Sequence, residues 1–160
     1  MLNRPRYEIL DADRQVDEWV RMMILNGSKT PKHVLTFSKT AENCIIRSLG
    51  GVATNHDQDM YEHTDFFLED YRVNVKSRIS ASELFQVSTA FCMHVRDNQP
   101  YDLLTMFVDK AGNNHIEIFS VCRAVDLIQR AVGQVHMMPS GSYGRNVNEN
   151  WIQENNLLAV

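Results

Sequence analysis

The 160-residue sequence predicts an α/β fold, with a central mixed, largely antiparallel sheet flanked by helices. Apolar residues recur at helical spacing at 16–24 and 45–49, and short alternating runs joined by polar turns fill the middle of the chain. The order helix, helix, strands, helix keeps the two element types in blocks. With 44% apolar residues and a formal net charge of −4, the chain is expected to be folded. Its length fits one domain over 1–160, with a core at about 39–132 and with a helix at 11–25 and a tail at 139–160 as additions.

Residues 11–25 form the first expected helix, because Val16, Trp19, Val20, Met23 and Ile24 make one apolar stripe. Asp11 or Asp13 caps it, and Asn26-Gly27 stops it. Residues 28–33 read as a linker, and 34–37 as either a short strand or the lead into the next helix. That helix is expected over 39–49, capped by Ser38, with Ile45, Ile46 and Leu49 on its apolar face and Gly50-Gly51 as its stop. Glu42 falls on the same inward face, where a carboxylate needs a partner. A short strand at 52–54 leads into a loop with His56, Asp57, Asp59, Glu62 and His63, which reads as solvated because its spacing fits no standard metal site. Strands follow at 65–68 and 71–77, then a weaker segment at 79–87 and an apolar run at 88–95, in which His94 and Arg96 alternate outward. After a turn at 97–100, strands at 101–109 and 115–121 form a hairpin around Gly112, and a helix covers 123–132. The tail carries Trp151, Ile152 and Leu157-Leu158, so it is expected to dock.

Residues 64–78 concentrate the chemistry. A two-residue loop at Glu69-Asp70 sets Leu68 opposite Tyr71, Phe67 opposite Arg72, Phe66 opposite Val73 and Asp65 opposite Asn74. Opposed residues share a face, so Asp65, Asn74 and Lys76 converge if that register holds. This set suits Mg²⁺ or Mn²⁺ and phosphodiester cleavage: Asp65 supplies charge, while Asn74 and the Val75 carbonyl supply further oxygens. Lys76 orients or deprotonates the attacking water, or offsets charge developing on the phosphate. Glu42 reaches the same cluster from its helix, and the cation becomes its partner. Arg72 and Arg78 flank Lys76 in a basic row and, with Arg96, are the candidate contacts to nucleic acid. Each residue also has an ordinary alternative: Asp65 opening a strand, Lys76 guarding an edge, Glu42 complementing a helix dipole, and the basic row simply solvated.

These residues resemble the PD-(D/E)XK nuclease superfamily, the fold of many restriction enzymes, junction resolvases and phage exonucleases. The resemblance covers about 39–128: a helix carrying Glu42, Asp65 opening a short strand, Asn74-Val75-Lys76 in the next strand, and the hairpin leading into the helix at 123–132. It implies a restriction-endonuclease-like fold and a metal-dependent endonuclease acting on DNA, in a restriction-like or phage DNA-processing role, with Asp65, Asn74, Lys76 and Glu42 as its catalytic set. RNA uses the same residues and is an open alternative. A homodimer is expected, because cutting two strands usually takes two sites. The sequence departs from the family with Thr64 in place of proline and, more seriously, with Asn74 in place of an acid. Asn74 then acts as a weak ligand, or Glu42 or Glu83 compensates, or the site is degenerate and the fold serves as a nucleic-acid- or protein-binding module.

The sequence also excludes several classes. It has no P-loop, G-x-G-x-x-G or G-x-S-x-G motif and no stretch of about 18 apolar residues. The first residues lack an apolar segment of the secretory kind. Cys44, Cys92 and Cys122, odd in number and widely spaced, are expected to be buried thiols in a reducing cytoplasm. A pI near 5.8 argues against coating nucleic acid by bulk charge, though not against a local basic groove.

Overall fold

The structure is a computed structural model that describes residues 4–55, 59 and 62–158. Its main sheet holds six strands: β1 (Arg6–Glu8), β2 (Val52–Ala53), β3 (Phe66–Leu68), β4 (Tyr71–Arg78), β6 (Leu103–Ala111) and β7 (His115–Arg123). Their order is β1-β7-β6-β4-β3-β2, and every neighbouring pair is antiparallel except β4 and β6, which run parallel. The sheet is therefore mixed and largely antiparallel, as the sequence predicts.

One face of the sheet is covered by α2 (Lys32–Leu49), whose Ala41, Cys44 and Ile45 pack on Val73, Met106 and Val108. Beside it, α1 (Asp17–Leu25) contributes Val16 and Val20 to a small cluster with Leu35. The other face is covered by α3 (Thr89–Asn98), α4 (Ala124–Arg130) and α5 (Glu149–Glu154), with Phe91, Leu127 and Ile152 against Leu103 and Phe107. The three cysteines are free and buried, as expected.

Several boundaries differ from the sequence reading. The second helix starts at Lys32, directly after Pro31, so 34–37 are helical and Ser38 lies inside the helix instead of capping it. Burial of Leu35 against Val16 and Val20 outweighs the strand leaning of the VLTF segment. Residues 11–14 are a separate 3-10 turn, built around buried Asp13, which accepts the Leu10 amide at 2.9 Å and the Arg47 guanidinium. The 88–95 run is helical: the Ser88 hydroxyl accepts the Phe91 amide at 3.1 Å, and Phe91, Cys92 and Val95 form the buried face. The expected helix at 123–132 ends at Arg130, and β8 (Val132–Met137) follows it.

The segments read as weak strand and tail build a second antiparallel sheet, β5-β9-β8, with β5 at Gln86–Ser88 and β9 at Tyr143–Val147. The tail docks as expected, with Val147 and Ile152 buried in the core. Among the described residues, no helix is long and apolar enough to cross a membrane.

Candidate functional site

Three of the four predicted β3–β4 pairs are observed, Leu68 with Tyr71, Phe67 with Arg72 and Phe66 with Val73, whereas the expected Asp65–Asn74 pair is not a ladder pair. Because β3 begins only at Phe66, the edge of β4 beyond Val73 has no strand beside it, and Asp65 fills the gap. Its amide donates to the Val73 carbonyl at 2.8 Å, and its carboxylate Oδ2 accepts the Val75 amide at 2.6 Å. Strand alternation aims the Val75 carbonyl at this same edge. Thr54 anchors the segment, with its hydroxyl donating to the carbonyls of Thr64 and Asp65 at 2.6 and 2.9 Å.

Asn74 and Lys76 point to the opposite face from Val73 and Val75, beside Thr105 and Phe107 of β6. The Asn74 amide donates to the His63 carbonyl at 2.8 Å, while its Oδ1 is buried with no hydrogen-bond partner. The Lys76 ammonium lies 5.2 Å from the centre of the Phe91 ring. His63, in left-handed backbone at φ 52°, sets its ring 5.8 Å from Phe91 and 5.2 Å from His94. Glu42 comes from α2, half-buried, with Oε1 2.9 Å from the Lys39 ammonium. The Asp59 carboxyl acts on that of Asp65 and raises it.

The electrostatics identify one coupled group. Burial holds the Asp65 carboxyl well above the usual carboxylate range, and the negative charge of Glu42 and the contact with Asp59 raise it further. Burial also raises Glu42, against the pull of Lys39 and Lys76 and with the push of Asp59. The Lys76 ammonium is lowered by burial, although Asp65, Asp59 and Glu42 pull the other way. Burial, then the charges of Lys76 and His94, bring His63 down to about 4.

By chemistry, the oxygen atoms near Asp65 are of the hard type that a divalent cation takes. They are carboxylate oxygens from Asp65, Glu42 and Asp59, an orphaned amide oxygen on Asn74 and the Val75 carbonyl. The orphaned oxygen is the most specific of these, because a buried acceptor with no partner costs about 1–3 kcal/mol unless a ligand satisfies it. Among the described residues, no group of three or more His, Cys, Asp or Glu side chains is arranged to hold a metal ion.

The loop carrying Asp59 and His63 reads from sequence as solvated but next to the site and able to touch substrate; what the sequence reading did not assign is the effect of Asp59 on Asp65 and the contacts of His63 with Phe91 and His94, and His56 and Asp57 lie outside the described residues. The available signal was the density of ligand-type residues just before Asp65. His94, read as pointing outward, is turned toward His63 by the helical phase of α3.

Each arginine assigned to phosphate contact has a carboxylate partner. Arg78 is a correction: it is 4% exposed and held by Asp109 at 2.6 Å, Glu149 at 3.2 Å and the Glu83 carbonyl at 2.8 Å, so it ties β4 to α5 and faces no phosphate. Arg72 is forked onto Asp102 at 2.7 and 2.9 Å, and Arg96 pairs with Asp97 on the exposed side of α3. Glu83 lies on the surface and contributes its carbonyl, not its carboxylate, to Arg78. Compared with known proteins, the chain matches no protein-family model, no curated protein and no solved structure.

Proposed function

We propose that the chain is a metal-dependent nuclease of PD-(D/E)XK type that hydrolyses DNA phosphodiester bonds. The observation that supports this reading best is that burial raises the Asp65 and Glu42 carboxyls and lowers the Lys76 ammonium, with these charges acting on one another, while Asn74 in the same strand as Lys76 has a buried, unpartnered Oδ1. Asp65, Asn74, Glu42 and the Val75 carbonyl would hold Mg²⁺ or Mn²⁺, with Asp59 supplying negative charge that Asn74 lacks. When bound, the ion supplies Lewis-acid polarisation of a phosphoryl oxygen. Asp65 is held by the Val75 amide, so its free oxygen is fixed in direction before any ligand arrives. Lys76, with its ammonium lowered by burial, is suited to taking a proton from the attacking water or to donating to a phosphate oxygen. A second reading, a degenerate site on a binding module, is favoured by Asn74 itself, since an amide brings no charge to the metal.

One experiment separates the two. The protein is incubated with supercoiled, linear, single-stranded and branched DNA, and with RNA, in Mg²⁺, Mn²⁺ or EDTA, and its melting temperature is followed in parallel. The proposed function expects metal-dependent cutting that falls about 100-fold or more in Lys76→Ala, and a metal-induced thermal gain that Asp65→Ala removes. Cutting by Asn74→Glu alone would establish the degenerate reading. Absence of both cutting and metal response in the wild type and every variant would end the nuclease reading, and absence of DNA binding as well would end the nucleic-acid-binding form of the second.

A further inference from the structure

α3 has two differently used faces. Phe91 and His94 turn toward Lys76 and His63, whereas Cys92, Arg96 and Gln99, spaced by four and three residues, line a cavity of about 630 Å³. Small-molecule sites span roughly 300–1,000 Å³. Val125 and Ile128 of α4 form an apolar wall, Arg145 enters from β9, and Tyr101, 68% exposed, also lines the cavity.

The chemistry of this cavity runs against that of the whole chain. The protein carries a net charge of −4, yet the cavity lining contains two arginines and no carboxylate. Arg145 is oriented by one donation to the Gly133 carbonyl at 2.7 Å, and no carboxylate among the described residues pairs with it. Arg96 is held by Asp97 in an exposed pair, and such pairs are weak. The Gln99 amide group donates to the Val95 and Arg96 carbonyls, which leaves its oxygen as an acceptor. Thr89 also lines the cavity, but its hydroxyl oxygen is buried and without a hydrogen-bond partner.

From this combination we infer that the cavity binds a nucleoside 5′-monophosphate, either free or as the terminal nucleotide of a strand. The guanidinium groups of Arg96 and Arg145 take the phosphate, as forked donors do. The base lies between the Tyr101 ring and the aliphatic wall at Ile128, a stacking that tolerates any base. The Gln99 oxygen accepts from a polar edge of base or sugar. Bare phosphate would leave the apolar wall unused, and a simple acyl chain would leave both guanidinium groups without an anion. This site is separate from the acid cluster and does not rest on cleavage.

Calorimetric titration of the full chain tests the inference. The four deoxynucleoside 5′-monophosphates should bind, with a nucleoside and inorganic phosphate each weaker by about tenfold or more. Arg96→Gln and Tyr101→Ala, both at exposed positions, should each weaken binding by about tenfold, while circular dichroism and melting temperature stay near wild type. A short 5′-phosphorylated oligonucleotide that binds like the monophosphate identifies the strand end as the source; binding of the monophosphate alone identifies the free nucleotide. No heat at millimolar nucleotide overturns the inference, as does binding that ignores both substitutions. Binding abolished by Asp65→Asn but not by Arg96→Gln also overturns it, by moving the nucleotide to the acid cluster.

Discussion

His63 shows how far a single side chain is bent to its setting. Its ring lies against Phe91 and His94 near Lys76, and its proton affinity falls to about 4. The unfolded chain protonates it near 6.5, so between pH 6.5 and 4 the unfolded state binds a proton that the folded state refuses. Stability contributed by neutral His63 is present above 6.5 and is lost as the pH falls to about 4. His94, also lowered, adds in the same direction, whereas Asp65 and Glu42, raised by burial, favour the folded state at low pH and lose that contribution as pH rises. Urea midpoints compared at neutral and acidic pH should drop less in His63→Gln than in wild type; equal drops would mean that the ring is solvated. At this scale the placement of Lys76 on β4 and of Asp65 just ahead of β3 was legible, because a two-residue loop leaves little choice of register. Asp59 and His63 were not, because their placement depends on the path of an irregular loop. Nor was the fate of Arg78, whose partners lie 31 and 71 residues away.

Among the elements, the turn between α2 and β2 is the most constrained. Gly50 ends the helix at φ 70°, a left-handed cap that favours glycine. Gly51 faces a different restriction: a Cβ there would stand 2.5 Å from Phe66 Cδ2, and Phe66 is fully buried beside Asp65. Gly51→Ala should therefore destabilise the fold by about 1–3 kcal/mol through overpacking. It should also weaken metal binding by shifting the segment that carries Asp65, which calorimetry with Mn²⁺ reads directly. An unchanged unfolding midpoint would show that Phe66 moves aside freely. The glycine stop was legible, and so were the strands of the β6–β7 hairpin, whose apolar content is high. α3 was not, because Met93, His94, Val95 and Arg96 alternate over too few residues to separate period 2 from period 3.6. β8 and β9 were missed because their residues are mostly exposed or half-buried, so neither carries an alternating pattern.

For the whole molecule, the second sheet ties the end of the chain to its middle. β9 sits between β5 and β8, and α5 presses Ile152 into the core that α3 and α4 share. A chain ending at residue 142 loses the central strand of that sheet together with Val147 and Ile152, whose burial contributes roughly 1.5–3 kcal/mol each. It should unfold at lower denaturant, bind a hydrophobic dye and lose nucleotide binding along with Arg145. Full cooperativity in the shortened chain would make the tail an accessory. The fold class was legible because it rests on element order, whereas the second sheet pairs β5 with a strand some sixty residues later, Gln86 with Asn146, beyond any local pattern. The single parallel pairing, β4 with β6, has a further consequence for how the chain acquires its chemistry. The β6–β7 hairpin closes locally and can form early, but Arg72 meets Leu103 only after the intervening segment with α3 has folded across the sheet. Asn74 and Lys76 are embedded in that later pairing, so the acid cluster takes shape only after the hairpin it leans on. A ribosome-bound or partly folded chain would then carry the acidic residues of the cluster without their common geometry.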